Sequence, residues 1–575
     1  MDSTGSKMND YRGLLKAYHE HLSRCPNERL YLGLTHNLGG LPDPSLEEVA
    51  LSVSHARHLL AMLTDVDKGN LSFDDRLDLD LMRLTLERQI HDKTLRFNGK
   101  SMAEQCPVAG QQIGDGLFVL MVNDPRPPTI RLGLIVERIE KIPGYLDALL
   151  ERLNTPVARW VSMEKEQLQG LRGLFDTLEQ WAVEEAWSGL SRLRAARATA
   201  QLAIEEYLSG LGDLPTTQSF HIGEAEARRV VQLRGIEMSI EELHVHAKRF
   251  LARNQETLNA LRIRLIDKYD LCESTTIEQL HEFLNKRFSV NVSNDRLEDI
   301  LDIYKAENDK IVAFISEHDL FDIFEDQDIK IIRTPQFLAT SIPAGAMMSP
   351  PPFRDGTKTS LVYLTLSEEL LDEHTHLGIP GMMIHEGIPG HHLQLANAAL
   401  HPSIVRRHFE AMEHAEGWTT MLEDYMLDVG YMGDLTDEAR FIGKLDINRI
   451  GARVAIDLFF MTGDRDYLKV TPVELDFSSD DPFELAGTLL QAVTGFTNER
   501  TQAELNWYSQ ERGYPLSYLT GNVLVWELKQ DMMTNQTDDC DERHLDRVFH
   551  RLYLQSGNMP VSYLRRVAEH EGLLD

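Results

Sequence analysis

The chain has 575 residues, 42 % of them hydrophobic and 26 % charged, enough for a large globular body of one or several domains. Its 58 Lys and Arg against 91 Asp and Glu give a net charge of −33. Such an acidic balance argues against nucleic acid or an anionic membrane as the main partner, and leaves a small amide such as a peptide open as substrate.

The opening Met-Asp-Ser-Thr-Gly-Ser-Lys is polar and lacks the basic-then-apolar pattern of a secretory leader. No run approaches the ~20 apolar residues of a membrane helix, and a cytoplasmic protein is expected. Cys25, Cys106, Cys272 and Cys540 are scattered without CxxC spacing, so free thiols are expected in place of a disulfide framework or a cysteine zinc site.

Apolar residues at three- and four-residue spacing predict helices over 46–63, 76–97, 132–153, 157–208, 239–271 and 276–287. Asp43-Pro-Ser-Leu-Glu-Glu reads as a capped helix start, and Pro125–Pro128 as an interruption. The texture changes near 328. Ile329-Lys-Ile-Ile-Arg333, ended by Thr334-Pro335, and Ser360–Leu366 are β-branched and read as strands. A loop rich in Pro, Gly and Met, 342–356, lies between them. Helical patterning resumes from about 380. The expectation is a mainly α fold with a small sheet near the site. Residues 1–327 would form a helical scaffold lobe and 328–575 a metal-binding catalytic lobe, or the two would be one continuous domain. The strands are either a structural hairpin or an edge that holds an extended peptide by main-chain hydrogen bonds.

His385-Glu-Gly-Ile-Pro-Gly-His-His392 carries the chemistry. A hydrolytic zinc site needs two imidazoles, one further ligand, an open position and a carboxylate to take a proton from water. In a plain His-Glu-x-x-His helix the imidazoles lie one turn apart. Here position 389 is Pro, and the next histidines are His391 and His392. At ~100° per residue, His391 falls about 240° round a straight helix from His385, on the wrong face. His392 falls near the right face but ~10.5 Å further along. A kink at Pro389-Gly390 would swing His391 back toward the metal, which makes it the preferred ligand and His392 the alternative. The third ligand should come from the stretch 404–427, where Glu410, Glu413, His414, Glu416 and Glu423 are candidates. A solvated acidic face would also explain these carboxylates, but Gly417-Trp418 suggests a packed setting beside Glu416.

The run His385-Glu-Gly-Ile-Pro-Gly-His-His-Leu-Gln394, followed by Glu416-Gly-Trp418 and Glu423, resembles the domain-of-unknown-function 885 family. This is a large bacterial group regarded as candidate zinc metallopeptidases, with the signature HExxPGHxxQ and then EGWxxYxE. The resemblance implies a mainly helical zinc-peptidase-like architecture and one Zn2+ held by His385, His391 and Glu416, with Glu386 as general base. It puts Gln394, His392 and Glu423 around these groups. Further on, Arg453-Val-Ala-Ile-Asp457 resembles the family's R-x-x-x-D helix, and Tyr508, Tyr518 and Gly521 match its later aromatic segment. The chain departs from the pattern at Met421, at Met461, where the family has His, and at Trp507, Arg512, Tyr514 and Leu519.

The mechanism these residues suggest is metal-assisted hydrolysis of a peptide bond. Glu386 would move the proton, and a Tyr hydroxyl would stabilise the oxyanion, Tyr518 first and Tyr508 second. Arg453 and Asp457 are expected to support the site as an ion pair. A non-catalytic zinc-binding scaffold, or a hydrolase of other amides or esters, is the alternative.

Overall fold

In the computed structural model the described residues are 3–290, 292, 296–334, 345–366, 374–471, 475–476, 478–535 and 542–574. Pro335, the first residues of the 342–356 loop and Cys540 lie outside them. The fold is mainly α with a small sheet.

Local sequence explains most helix starts. Ser45, Ser239 and Thr276 each accept the backbone N–H three residues on, and the last two form reciprocal capping boxes with Glu242 and Gln279. Asp43 in turn accepts the Ser45 N–H at 2.9 Å. Three expected helices end or break differently. The helix expected to reach 97 ends at Thr94, and Arg96–Phe97 instead pairs with Lys100–Ser101 in a two-residue hairpin with Asn98 and Gly99 both at positive φ. The 132–153 segment is two helices, Pro128–Ile139 and Ile142–Arg152, because Pro143 supplies no N–H for a continuing ladder. The 157–208 segment is likewise Ala158–Glu184 and Leu190–Asp213, separated by a turn in which Ala186 is at positive φ.

Strand β1 (Gln327–Arg333), β2 (Gly345–Met348) and β3 (Lys358–Leu364) form one sheet of order β1-β3-β2. β1 runs parallel to β3 with Ile331 opposite Val362, and β2 runs antiparallel to it with Met347 opposite Val362. The expected strands exist, but they are not a hairpin: β2 occupies the far edge.

Six helices carry the site. They are α1 (Gly378–Glu386), α2 (His391–Ala398), α3 (Met412–Asp428), α4 (Thr436–Thr462), α5 (Asn498–Gln510) and α6 (Ser517–Asn535). The largest hydrophobic core joins Leu77, Leu81 and Ile311 to Met383, Trp418 and Leu564, on both sides of residue 327. A second core, around Trp160, Phe220 and Phe460, also crosses that point. A third, from Leu30 to Leu211, belongs to the N-terminal helices. The site therefore rests on cores to which distant parts of the chain contribute.

Candidate metal centre

Helix α1 ends at Glu386 and α2 starts at His391, so the break predicted at Pro389-Gly390 is a complete interruption. Gly390 is required there by space. A Cβ on it would lie 2.0 Å from the His385 carbonyl oxygen and 2.2 Å from that of Ile384. Trp418, fully buried on α3, donates its indole N–H to the Pro389 carbonyl at 2.9 Å and stacks on Tyr553. The connector is thus clamped to the next helix, as the Gly-Trp pair suggested.

The interruption brings the two imidazoles together, with ring centroids 4.9 Å apart. Nε2 of His385 lies 3.5 Å from Oε2 of Glu416, and Nε2 of His391 lies 3.4 Å from the same oxygen. One donor atom from each of the three residues falls within 4.8 Å of the others. Residual exposures of 8 % for His385, 9 % for Glu386 and 8 % for His391 leave solvent a path to the cluster.

The outer contacts orient these donors. Nδ1 of His385 donates to Glu423 at 2.7 Å, which orients the ring with Nε2 toward Glu416. Tyr514 donates its hydroxyl to Oε1 of Glu416 at 3.2 Å. Oε2 of Glu416 is buried and accepts no hydrogen bond among the described residues. Burial works against the charged form of His385, but Glu416 and Glu423 outweigh it and raise its pKa to about 10. Burial would raise Glu416, but the His391 charge and the contacts with both imidazoles hold it far below the usual carboxylate range.

These donors fit a zinc ion. Arms of about 2.0–2.2 Å in a tetrahedron put neighbouring donors about 3.3–3.6 Å apart. The two distances to Glu416 already have that size, and its buried Oε2 accepts no hydrogen bond among the described residues.

His392 does not join the cluster. Its Nδ1 is 2.7 Å from Ser360 Oγ on β3 and its Nε2 is 2.6 Å from Gln327 Oε1 on β1, so both nitrogens are engaged. Burial lowers its pKa to about 4, and it stays neutral as a tie between α2 and the sheet. His391→Ala is expected to remove metal binding, whereas His392→Ala should keep one metal per chain and lower stability by roughly 1–3 kcal/mol through the unpaired Ser360 and Gln327. Metal titration and urea unfolding of the two variants check this. Equal metal loss in both would return His392 to the ligand set.

Of the other candidate ligands, Glu410 is bound by Arg88 at 2.7 Å and Glu413 lies buried at the start of α3, where burial raises it to about 7. His414 packs at 4.2 Å from Tyr553. Gln394 donates to Asn558 at 2.7 Å, bracing α2 against the C-terminal segment.

The aromatic groups divide. Tyr518 is half-buried, and the charge of Glu416 and a contact with it add to burial in raising its phenol, which places it beside a candidate ligand. Tyr508 is fully buried; its hydroxyl donates to Glu504 at 2.5 Å and accepts from Arg453 Nε at 2.8 Å, so it is committed to the scaffold. The expected Arg453–Asp457 pair is not present. Arg453 binds Glu504 at 2.9 Å, and Asp457 accepts the backbone N–H groups of Gly513 and Leu516, both at 3.1 Å. Asp457 thereby holds the turn that presents Tyr514. Met461, one turn on, is fully buried in the second core. Tyr514, a departure from the family pattern, is a site residue that sequence reasoning misses: it lies in the turn before α6, where no helical spacing places it.

The model of the family described as "Bacterial protein of unknown function (DUF885)" matches residues 26–567. Among solved structures, that described as "The structure of a putative lipoprotein of unknown function from Shewanella oneidensis" has a TM-score of 0.73 at 20 % identity, covering 97 % of this chain and 99 % of that one. "The crystal structure of the putative lipoprotein from Colwellia psychrerythraea" has a TM-score of 0.77 at 16 % identity, covering 98 % and 99 %. At these identities the likeness is one of fold. No curated protein matches the chain.

Proposed function

The chain belongs to this family of bacterial proteins of unknown function, and on that premise we propose that it is a zinc-dependent peptidase. The observation that carries the reading is the convergence of His385 Nε2 and His391 Nε2 on Glu416 Oε2, at 3.5 and 3.4 Å. His385, His391 and Glu416 would hold the ion. When bound, zinc supplies Lewis acidity, polarising a carbonyl and making water nucleophilic near neutral pH.

The chain's own groups do the rest. Glu386 is 9 % exposed, and its charge reaches His385. It takes the proton as water adds to the carbonyl carbon, and returns one to the amine nitrogen as the C–N bond breaks. Tyr518, beside Glu416, would donate to the oxyanion. Glu423 keeps the His385 imidazole oriented. β2 is an edge strand, and Gly345 at its start lies against Met382 of α1: a Cβ there would be 3.6 Å from the Met382 methyl.

The test has two arms. Protein purified without added metal or chelator is expected to contain one equivalent of zinc by elemental analysis, or to take it up on titration. A mixed peptide pool should be cleaved by the loaded protein and left intact after chelation. Absence of both binding and cleavage would sink the reading.

A further inference from the structure

Arg453 stands in a buried cluster that the hydrolytic steps do not use. Its Nε donates to Tyr508 at 2.8 Å and its Nη2 to Glu504 at 2.9 Å. These two bonds occupy one edge of the guanidinium. Nη1 points away from that edge, is buried, and has no hydrogen-bond acceptor among the described residues. The residue is only 6 % exposed. A charged donor withheld from both water and protein acceptors is rare enough to ask for a partner.

The surroundings say where that partner would come from. The guanidinium carbon lies 4.3 Å from the Tyr518 ring centre and 5.3 Å from that of Trp507. Tyr518 and Tyr514 stack on one another and both bear on Glu416, so Arg453 is one aromatic ring removed from a candidate metal ligand. Both tyrosines are half-buried. One turn earlier on α4, half-buried Arg449, ion-paired with Asp446, adds a second guanidinium; burial and the Arg453 charge hold it below the ordinary arginine range.

We propose that Arg453, backed by Arg449, is the recognition point for a carboxylate of the substrate. An arginine with two donors already anchored is preorganised to offer the third to a carboxylate oxygen. Two sources share this chemistry: the free α-carboxylate at a peptide's C-terminus, and an Asp or Glu side chain. The assignment of the ligand as a peptide rests on the peptidase reading; the carboxylate site itself does not.

The experiment separates the two. The zinc-loaded Glu386→Gln chain, which binds without turnover, is titrated into three peptides labelled with fluorescein at the N-terminus and followed by anisotropy. One is an alanine-rich peptide with a free C-terminus, one is the same peptide as its amide, and one is the amide with a single Glu. At least one carboxylate peptide is expected to bind about tenfold or more tighter than the plain amide, and which one it is identifies the source. Arg453→Lys and, as a half-buried change better tolerated by the fold, Arg449→Gln should each reduce that ratio. Equal affinity for all three peptides, including no binding of any, overturns the proposal. So does a preference undiminished in both variants. Preference without hydrolysis by the wild-type chain would keep the carboxylate site and remove the peptidase reading; hydrolysis without preference would do the reverse.

Discussion

Glu386→Gln is expected to retain the metal and lose hydrolysis by a factor on the order of 10² or more, because it removes a proton acceptor and not a ligand. Glu416→Gln is expected to lose the metal. Its Oε2 is the atom on which both imidazoles converge, at 3.5 and 3.4 Å, and an amide there supplies no anionic lone pair. The amide would also disturb Tyr514, which now donates to Oε1 at 3.2 Å. Elemental analysis and peptide hydrolysis on the same preparations give a two-by-two result. Metal kept and activity lost in Glu386→Gln, with both lost in Glu416→Gln, is the predicted pattern. The opposite metal contents would exchange the two roles, and full activity in both variants would move the catalytic centre elsewhere.

The clustering of His385 and His391 was legible in the sequence because a metal site needs few residue types in a narrow spacing and because Pro389-Gly390 cannot continue a helix; Glu416 was singled out among five candidates only by the family resemblance. The geometry of a straight helix pointed away from His391. Only the requirement for a kink pointed to it, and the interruption between Glu386 and His391 has that effect. The scaffold helices were legible from apolar periodicity and caps. Of their breaks, that at 140–141 follows from Pro143, whereas that at 185–189 has no proline to mark it. Partners across the fold were least legible. Arg453 and Asp457 sit four apart on one helix, the spacing of an ion pair, yet each turns to a different element: Arg453 to Glu504 on α5 and Asp457 to the turn before α6. Periodicity states which residues share a face, not which neighbour that face meets. Tyr514 was passed over for the same reason, since its value lies in reaching Glu416 from another helix end.

Gly521→Ala is expected to cost roughly 3 kcal/mol or more in stability and to release the metal. Helices α3 and α6 cross where Gly417 meets Gly521. A Cβ at 521 would fall 1.9 Å from the Glu413 carbonyl oxygen and 2.8 Å from the Gly417 Cα. Both obstacles are backbone of α3, so no side-chain rotamer can yield, and α6 must move away. The Glu413 carbonyl lies one turn before Glu416, and Tyr518 lies one turn before Gly521 on α6, so separation of the helices acts on the site from both sides. Gly443, within α4, is the control. A Cβ there meets nothing within 4 Å, so Gly443→Ala should be neutral or stabilising by up to about 1 kcal/mol. Urea unfolding midpoints and zinc stoichiometry of both variants decide the matter. If Gly521→Ala unfolds at the wild-type midpoint with its metal in place, the helices do not cross at van der Waals contact. The geometry that delivers Glu416 to the two histidines would then have to come from elsewhere.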